Sequence, residues 1–76
     1  MTIIVYTMPN CGPCMSTKHA LKAKGIPFTE VDLSTDPAAQ ARVAEWGYRQ
    51  APIVEVGPDH HWSGFRADLI AGLLSP

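Results

Sequence analysis

The sequence predicts an α/β fold in which a mixed four-stranded sheet, in the order β-α-β-α-β-β-α, carries helices on both faces. Three observations carry that expectation. Short β-branched runs alternate with longer segments of helical spacing in the first half of the chain. A glycine closes each of the first two helical segments. In the second half, Gly57-Pro58-Asp59 separates the run of Ile53, Val54 and Val56 from His60 to Trp62, where a hairpin would turn.

Each element follows from local chemistry. Residues 2–7, Thr-Ile-Ile-Val-Tyr-Thr, are bounded by Pro9 and Asn10 and read as a buried strand. Cys11-Gly12-Pro13-Cys14 follows at once. Pro13 suits the first turn of a helix, where its missing N–H is no loss, so a helix is expected over 12–24 with Gly25 at C′. Its amphipathic pattern is weak, and the expectation rests on its flanks. Residues 26–33 read as a second strand with Pro27 near its start. Ser34, Thr35 and Asp36 offer an N-cap and Pro37 fits the first helical position. Ala39, Val43 and Trp46 then form one helical stripe before Gly47, a second C′ residue. Ile53, Val54 and Val56 make a third strand beside Pro52, and residues 60–62 pair back as a fourth. Residues 66–74 place Leu69, Ile70, Leu73 and Leu74 on one face of a third helix. The first two strands, joined by a helix, are expected to be parallel through a right-handed crossover.

At 76 residues the chain is expected to form one domain, 1–76. A chain of this size buries only about 60–65% of its unfolded surface, so its core is thin. With 46% hydrophobic and 17% charged residues, the composition is globular. The net charge of -1, without a basic or acidic block, argues against nucleic-acid and anionic-membrane partners. Residues 1–10 lack a charged n-region and an apolar h-region, and no stretch approaches the roughly 18 apolar residues of a membrane span. A cytoplasmic monomer is expected. In that compartment a lone cysteine pair is redox-active or metal-binding more often than a structural staple.

The pair sits where a strand meets a helix N-terminus. Unpaired N–H groups and a partial positive charge there stabilise a thiolate, the nucleophile of disulfide exchange. Cys11 is therefore the expected attacking thiol. Cys14, one turn on and nearer the sheet, is the expected resolving thiol. Gly12 and Pro13 form the active-site turn. A structural disulfide would stabilise little by closing so short a loop. A zinc or iron–sulfur site is the main rival, since Cys11 and Cys14 have the spacing of half a zinc site and His60 and His61 could complete it. Adjacent histidines on a strand point to opposite faces, however, and no second C-x2-C exists. The expectation is no metal. Asp32 and Glu30 are candidate proton acceptors for Cys14.

Val5-Tyr6-Thr7, residues 47–52 (Gly-Tyr-Arg-Gln-Ala-Pro) and residues 62–66 (Trp-Ser-Gly-Phe-Arg), together with the cysteine pair, make the chain similar to the glutaredoxin-like NrdH-redoxins over essentially its whole length. That resemblance implies a thioredoxin-like fold and a dithiol–disulfide oxidoreductase with no bound cofactor. It implies thioredoxin reductase, drawing on NADPH, as electron donor, and class Ib ribonucleotide reductase as acceptor. It also implies a cis bond before Pro52, facing the cysteines and freeing the Ala51 backbone to pair with an extended substrate. Met8, Gln50, Ala51, Pro52, Trp62, Ser63, Gly64 and Phe65 would then form the partner-binding surface, although Trp62 and Phe65 read equally well as core residues. Two positions depart from the common pattern: Met8 stands where a lysine is usual, and Gly12-Pro13 is the thioredoxin pair. Gly12-Pro13 favours a general thioredoxin, which residues 62–66 disfavour. A glutathione-dependent glutaredoxin is disfavoured by Met8 and by the lack of an acid directly after Gly64. A metal-binding or structural interaction module is the non-enzymatic alternative.

Overall fold

The computed structural model describes residues 3–73. The elements run β1 (Ile4–Thr7), α1 (Gly12–Ala23), β2 (Thr29–Asp32), α2 (Pro37–Glu45), β3 (Ile53–Gly57), β4 (His60–Ser63) and α3 (Ala67–Ala71). The four strands form one sheet in the order β2-β1-β3-β4. β1 and β2 are parallel, with Ile4 opposite Thr29, as a helical crossover requires. β3 runs antiparallel to both β1 and β4. This is the mixed sheet expected from the sequence. Among the described residues, no helix is long and apolar enough to cross a membrane.

The period of two along the strands divides the core. Ile3 and Val5, with Val54 and Val56 from β3, face a cluster completed by Leu21 of α1, Ile26, Trp62 and Ile70 of α3. Tyr6 and Ile53 face the opposite cluster, with Leu33 and with Ala39 and Val43 of α2. α1 and α3 thus share one face of the sheet and α2 covers the other.

Both long helices stop by the same device. Gly25 and Gly47 adopt φ of 72° and 86°, a left-handed conformation that glycine takes without a Cβ clash. Gly25 N–H then bonds Lys22 O and Ile26 N–H bonds Leu21 O, both at 3.0 Å. Around Gly47, the Gly47 and Tyr48 amides bond Ala44 O and Val43 O at 2.9 and 3.2 Å. These are Schellman pairs, and Ile26 packs in the same cluster as Leu21. They also explain why β2 is shorter than residues 26–33. The Ile26 amide caps α1, so the strand starts only at Thr29. At the start of α2, the Asp36 side chain accepts from Ala39 N–H at 3.0 Å, with Pro37 following.

The last helix is shorter than expected. It spans Ala67–Ala71, with Ile70 buried and Leu69 and Leu73 partly buried against the first cluster. Thr2 and Leu74 lie outside the described residues. Arg66 holds the N-cap position without a capping side-chain bond and instead pairs with Asp68 at 2.9 Å.

Candidate active site

β1 ends at Thr7, and residues 8–10 carry the chain from the end of this central strand to α1. Asn10 makes that turn with φ 58°, which asparagine tolerates better than most side chains. Cys11 is extended, with φ -106° and ψ 105°, and is the N-cap of α1. Its Sγ accepts from Cys14 N–H at 3.1 Å, the position usually filled by a capping oxygen. Cys11 and Cys14 are joined as a disulfide. Cys11 is partly exposed, whereas Cys14 is only 2% exposed. This asymmetry leaves one sulfur open to attack and hides the other.

The Ala51–Pro52 peptide bond is cis. The Ala51 carbonyl oxygen lies 3.8 Å from Cys11 Sγ, so a thiol at Cys11 could donate to it. β3 and β4 bring the two remaining sequence blocks together. Ser63 Oγ donates to Gln50 O and Gly64 N–H donates to Pro52 O, both at 2.8 Å. Gln50, Ala51, Ser63 and Gly64 therefore form one stitched wall beside the disulfide. Met8 and Phe65 are exposed large apolar residues, as is Met15 on the first turn of α1. Gly12 and Pro13 are exposed at the helix start.

Two expected surface residues are placed elsewhere. Trp62 is 5% exposed and belongs to the first core cluster. Its place on β4 opposite Val54 turns the ring inward, so it cannot be a contact surface. Pro52 is also fully buried, which leaves the Ala51 backbone as the accessible part of that pair.

A cleft of about 740 Å3 opens beside the disulfide. Met8, Cys11, Cys14, Lys18, Glu30 and Asp32 are among its lining residues. A smaller groove of about 270 Å3 runs from Met8 and Ala51 between Leu33, Val43 and Tyr48. Met8 is common to both. In the cleft, Lys18 Nζ bonds Glu30 Oε2 at 2.9 Å and the buried Thr7 hydroxyl donates to the same oxygen at 3.1 Å. The Lys18 bond foremost, aided by Thr7, holds the Glu30 carboxyl below its ordinary range. Asp32 is lowered by the Ser34 hydroxyl and N–H.

Behind the site is a polar cluster that sequence reasoning missed. Glu55 is buried on β3, and Arg42 grips it with Nε at 3.1 Å and Nη2 at 2.7 Å. Tyr6 Oη donates to Glu55 Oε1 at 2.7 Å. Burial first, and then this carboxylate, pushes the Tyr6 phenol up to about 12. Arg42 holds Glu55 below its ordinary range, with help from Tyr6. Trp46 lies under the Arg42 guanidinium and stacks on His61 at 4.0 Å. Tyr48 Oη is 2.7 Å from His61 Nδ1. His61, without an assigned partner in the sequence, is thus held by Trp46 and Tyr48. Glu55 alone among Ile53, Val54 and Val56 was the available signal. His60 lies beside Trp62, on the opposite face from His61. Among the described residues, no group of three or more His, Cys, Asp or Glu side chains is placed to hold a metal ion.

The chain matches the glutaredoxin family over residues 3–61. It is 41% identical over 70 residues to the glutaredoxin-like protein NrdH of Salmonella typhimurium, covering 92% of this chain and 85% of that one. A solved NrdH-redoxin from Escherichia coli, a glutaredoxin-like protein with a thioredoxin-like activity profile, superposes with a TM-score of 0.92 at 37% identity. That match covers 100% of this chain and 99% of the other. The thioredoxin-like protein BC3987 superposes with a TM-score of 0.84 at 33% identity, over 95% of this chain and 99% of that one.

Proposed function

From a chain that belongs to the glutaredoxin family, among its NrdH-type thiol–disulfide oxidoreductases, we propose a redoxin that passes electrons from thioredoxin reductase to class Ib ribonucleotide reductase through Cys11 and Cys14. The observation that carries this reading is the asymmetric sulfur pair. Cys11 is reachable at a helix N-terminus, Cys14 is buried one turn in, and the Ala51 carbonyl lies beside Cys11.

In the reduced protein, Cys11 loses its proton, and the Cys14 N–H and the helix terminus stabilise the thiolate. An extended substrate segment pairs with the Ala51 backbone and presents its disulfide to Cys11. Cys11 Sγ bonds one substrate sulfur, and the other leaves as a thiolate that takes up a proton. Cys14 then gives up its proton and its sulfur attacks Cys11 Sγ. The mixed disulfide breaks, the second substrate thiol is released, and Cys11–Cys14 is oxidised. Two electrons have moved from the dithiol to the substrate disulfide. NADPH restores the dithiol through thioredoxin reductase. The protein works as one cytoplasmic domain and binds no cofactor of its own.

The apolar Met8 and Phe65, flanking the stitched wall of Gln50, Ala51, Ser63 and Gly64, suit a protein partner better than glutathione, whose carboxylates call for cations. The thioredoxin-like activity profile of the Escherichia coli relative supports the same choice. The test is NADPH consumption with a disulfide acceptor, driven by thioredoxin reductase or by glutathione with glutathione reductase. Turnover with the first alone is expected, followed by support of class Ib ribonucleotide reductase. Turnover with glutathione alone refutes the assignment. Reduction of many protein disulfides with no gain for ribonucleotide reductase would make the protein a general thioredoxin.

A further inference from the structure

The cleft beside the disulfide holds three charged side chains that the mechanism leaves unused. Lys18 follows Cys14 by four residues on α1, so the two leave the same face of the helix one turn apart. Both line the cleft, with Glu30 and Asp32 of β2 as its remaining charged walls. The Lys18 side chain is only 20% exposed and its ammonium is tied to Glu30. Glu30 is tied in turn to the buried Thr7 hydroxyl. Asp32 is engaged by Ser34, and Lys22, the next cation along α1, acts on Glu30. The cleft thus contains a half-buried cation, leashed by an anchored carboxylate, one helical turn from the resolving sulfur.

That sulfur needs help to ionise. Cys14 is buried, and burial disfavours a thiolate. A nearby ammonium opposes that penalty, and a carboxylate that draws the ammonium away restores it. We propose that Lys18 and Glu30 are positioning residues for the resolving step: the ammonium favours the Cys14 thiolate, and Glu30, anchored by Thr7, limits how much of that charge Cys14 feels. The inference rests on the roles given to Cys11 and Cys14 above. The step itself is unchanged: the Cys14 proton goes to solvent, Cys14 Sγ bonds Cys11 Sγ, and the substrate sulfur leaves with the electron pair.

The two partners of one ion pair make the test discriminating. Lys18→Gln and Glu30→Gln break the same bond, so a purely structural pair would respond alike to both. Electrostatic control makes them act in opposite directions. In a Cys11→Ser background, which leaves Cys14 as the sole thiol, its ionisation is followed by thiolate absorbance and by the pH dependence of alkylation. Lys18→Gln is expected to raise the midpoint and cut the thiolate fraction near neutral pH by roughly 3–10-fold. Glu30→Gln is expected to lower the midpoint and raise that fraction by a similar factor, and Lys18→Arg to restore the parent value. Midpoints that move together, or not at all in folded variants, overturn the inference. Sustained turnover by Cys11→Ser in the NADPH assay would instead overturn the assignment of thiol roles, whatever the titration shows.

Discussion

Tyr6→Phe deletes one oxygen and tests whether the buried polar cluster holds the sheet under the active site. Tyr6 is 3% exposed, and its hydroxyl donates to Glu55 at 2.7 Å. A hydrogen bond to a charged acceptor contributes about 1.5–3 kcal/mol. The rise of the phenol to about 12 has burial as its first cause and Glu55 as its second, so it sets the pH window of the effect and not its size. A loss of about 2 kcal/mol lowers the melting temperature of a domain this size by roughly 8–16 °C. The sign with pH follows from the raised value. The unfolded phenol ionises first, so this stabilisation is complete below pH 10 and drains away as pH climbs toward about 12. Urea denaturation of both proteins across this range is the assay. The gap between wild type and Tyr6→Phe is expected to be widest near neutrality and to close toward pH 12. A gap that stays constant with pH, or a loss below about 0.5 kcal/mol, would refute the reasoning.

Other outcomes follow from the same geometry. Cys11→Ser is expected to abolish turnover, and Cys14→Ser to accumulate a mixed disulfide with the target, visible by mass spectrometry under non-reducing conditions. Leu21→Ala, at a fully buried position between α1 and the sheet, is expected to cost about 2–5 kcal/mol in a denaturant titration. Glu55 is lowered chiefly by Arg42, so its contribution is present above the ordinary carboxylate range and is lost as pH falls through the depressed folded value. The stability of Glu55→Gln, measured beside wild type, should therefore fall less steeply on acidification.

Much of the fold was legible because local rules and tertiary demands agree here. Pro13, Gly25, Asp36, Pro37 and Gly47 punctuate the helices where the sequence reading placed them, since each works through its own backbone geometry. The cysteine pair was legible for the same reason: its setting is strand, turn and helix start. Features joining distant segments were not. Ile26 reads as strand because it is β-branched, yet its amide belongs to the helix before it. Trp62 reads equally well as a contact or as core, and only the β3–β4 register, Val54 opposite Trp62, turns it inward. Lys18 and Glu30 lie on different elements, and the parallel pairing of β1 with β2 places Glu30 beside the α1 face that carries Cys14. Glu55 is a lone acid within an apolar strand, and its partners Tyr6 and Arg42 come from β1 and α2, far from it in the chain.

The sulfur that caps α1 is also the atom that changes at every turnover. Cys11 Sγ accepts the Cys14 N–H, and its strength as an acceptor depends on whether it is thiolate, thiol or disulfide. Helix stability and redox poise are therefore two legs of one thermodynamic cycle. Whatever the cap adds to the folded reduced protein beyond the folded oxidised one must reappear as a difference in reduction potential between the folded chain and its unfolded peptide. About 1.4 kcal/mol on either leg equals about 30 mV on the other. Oxidised and reduced unfolding curves, taken on the same sample, would read that exchange directly. They would show how far a single N-cap, by favouring the reduced form, converts folding energy into oxidising power.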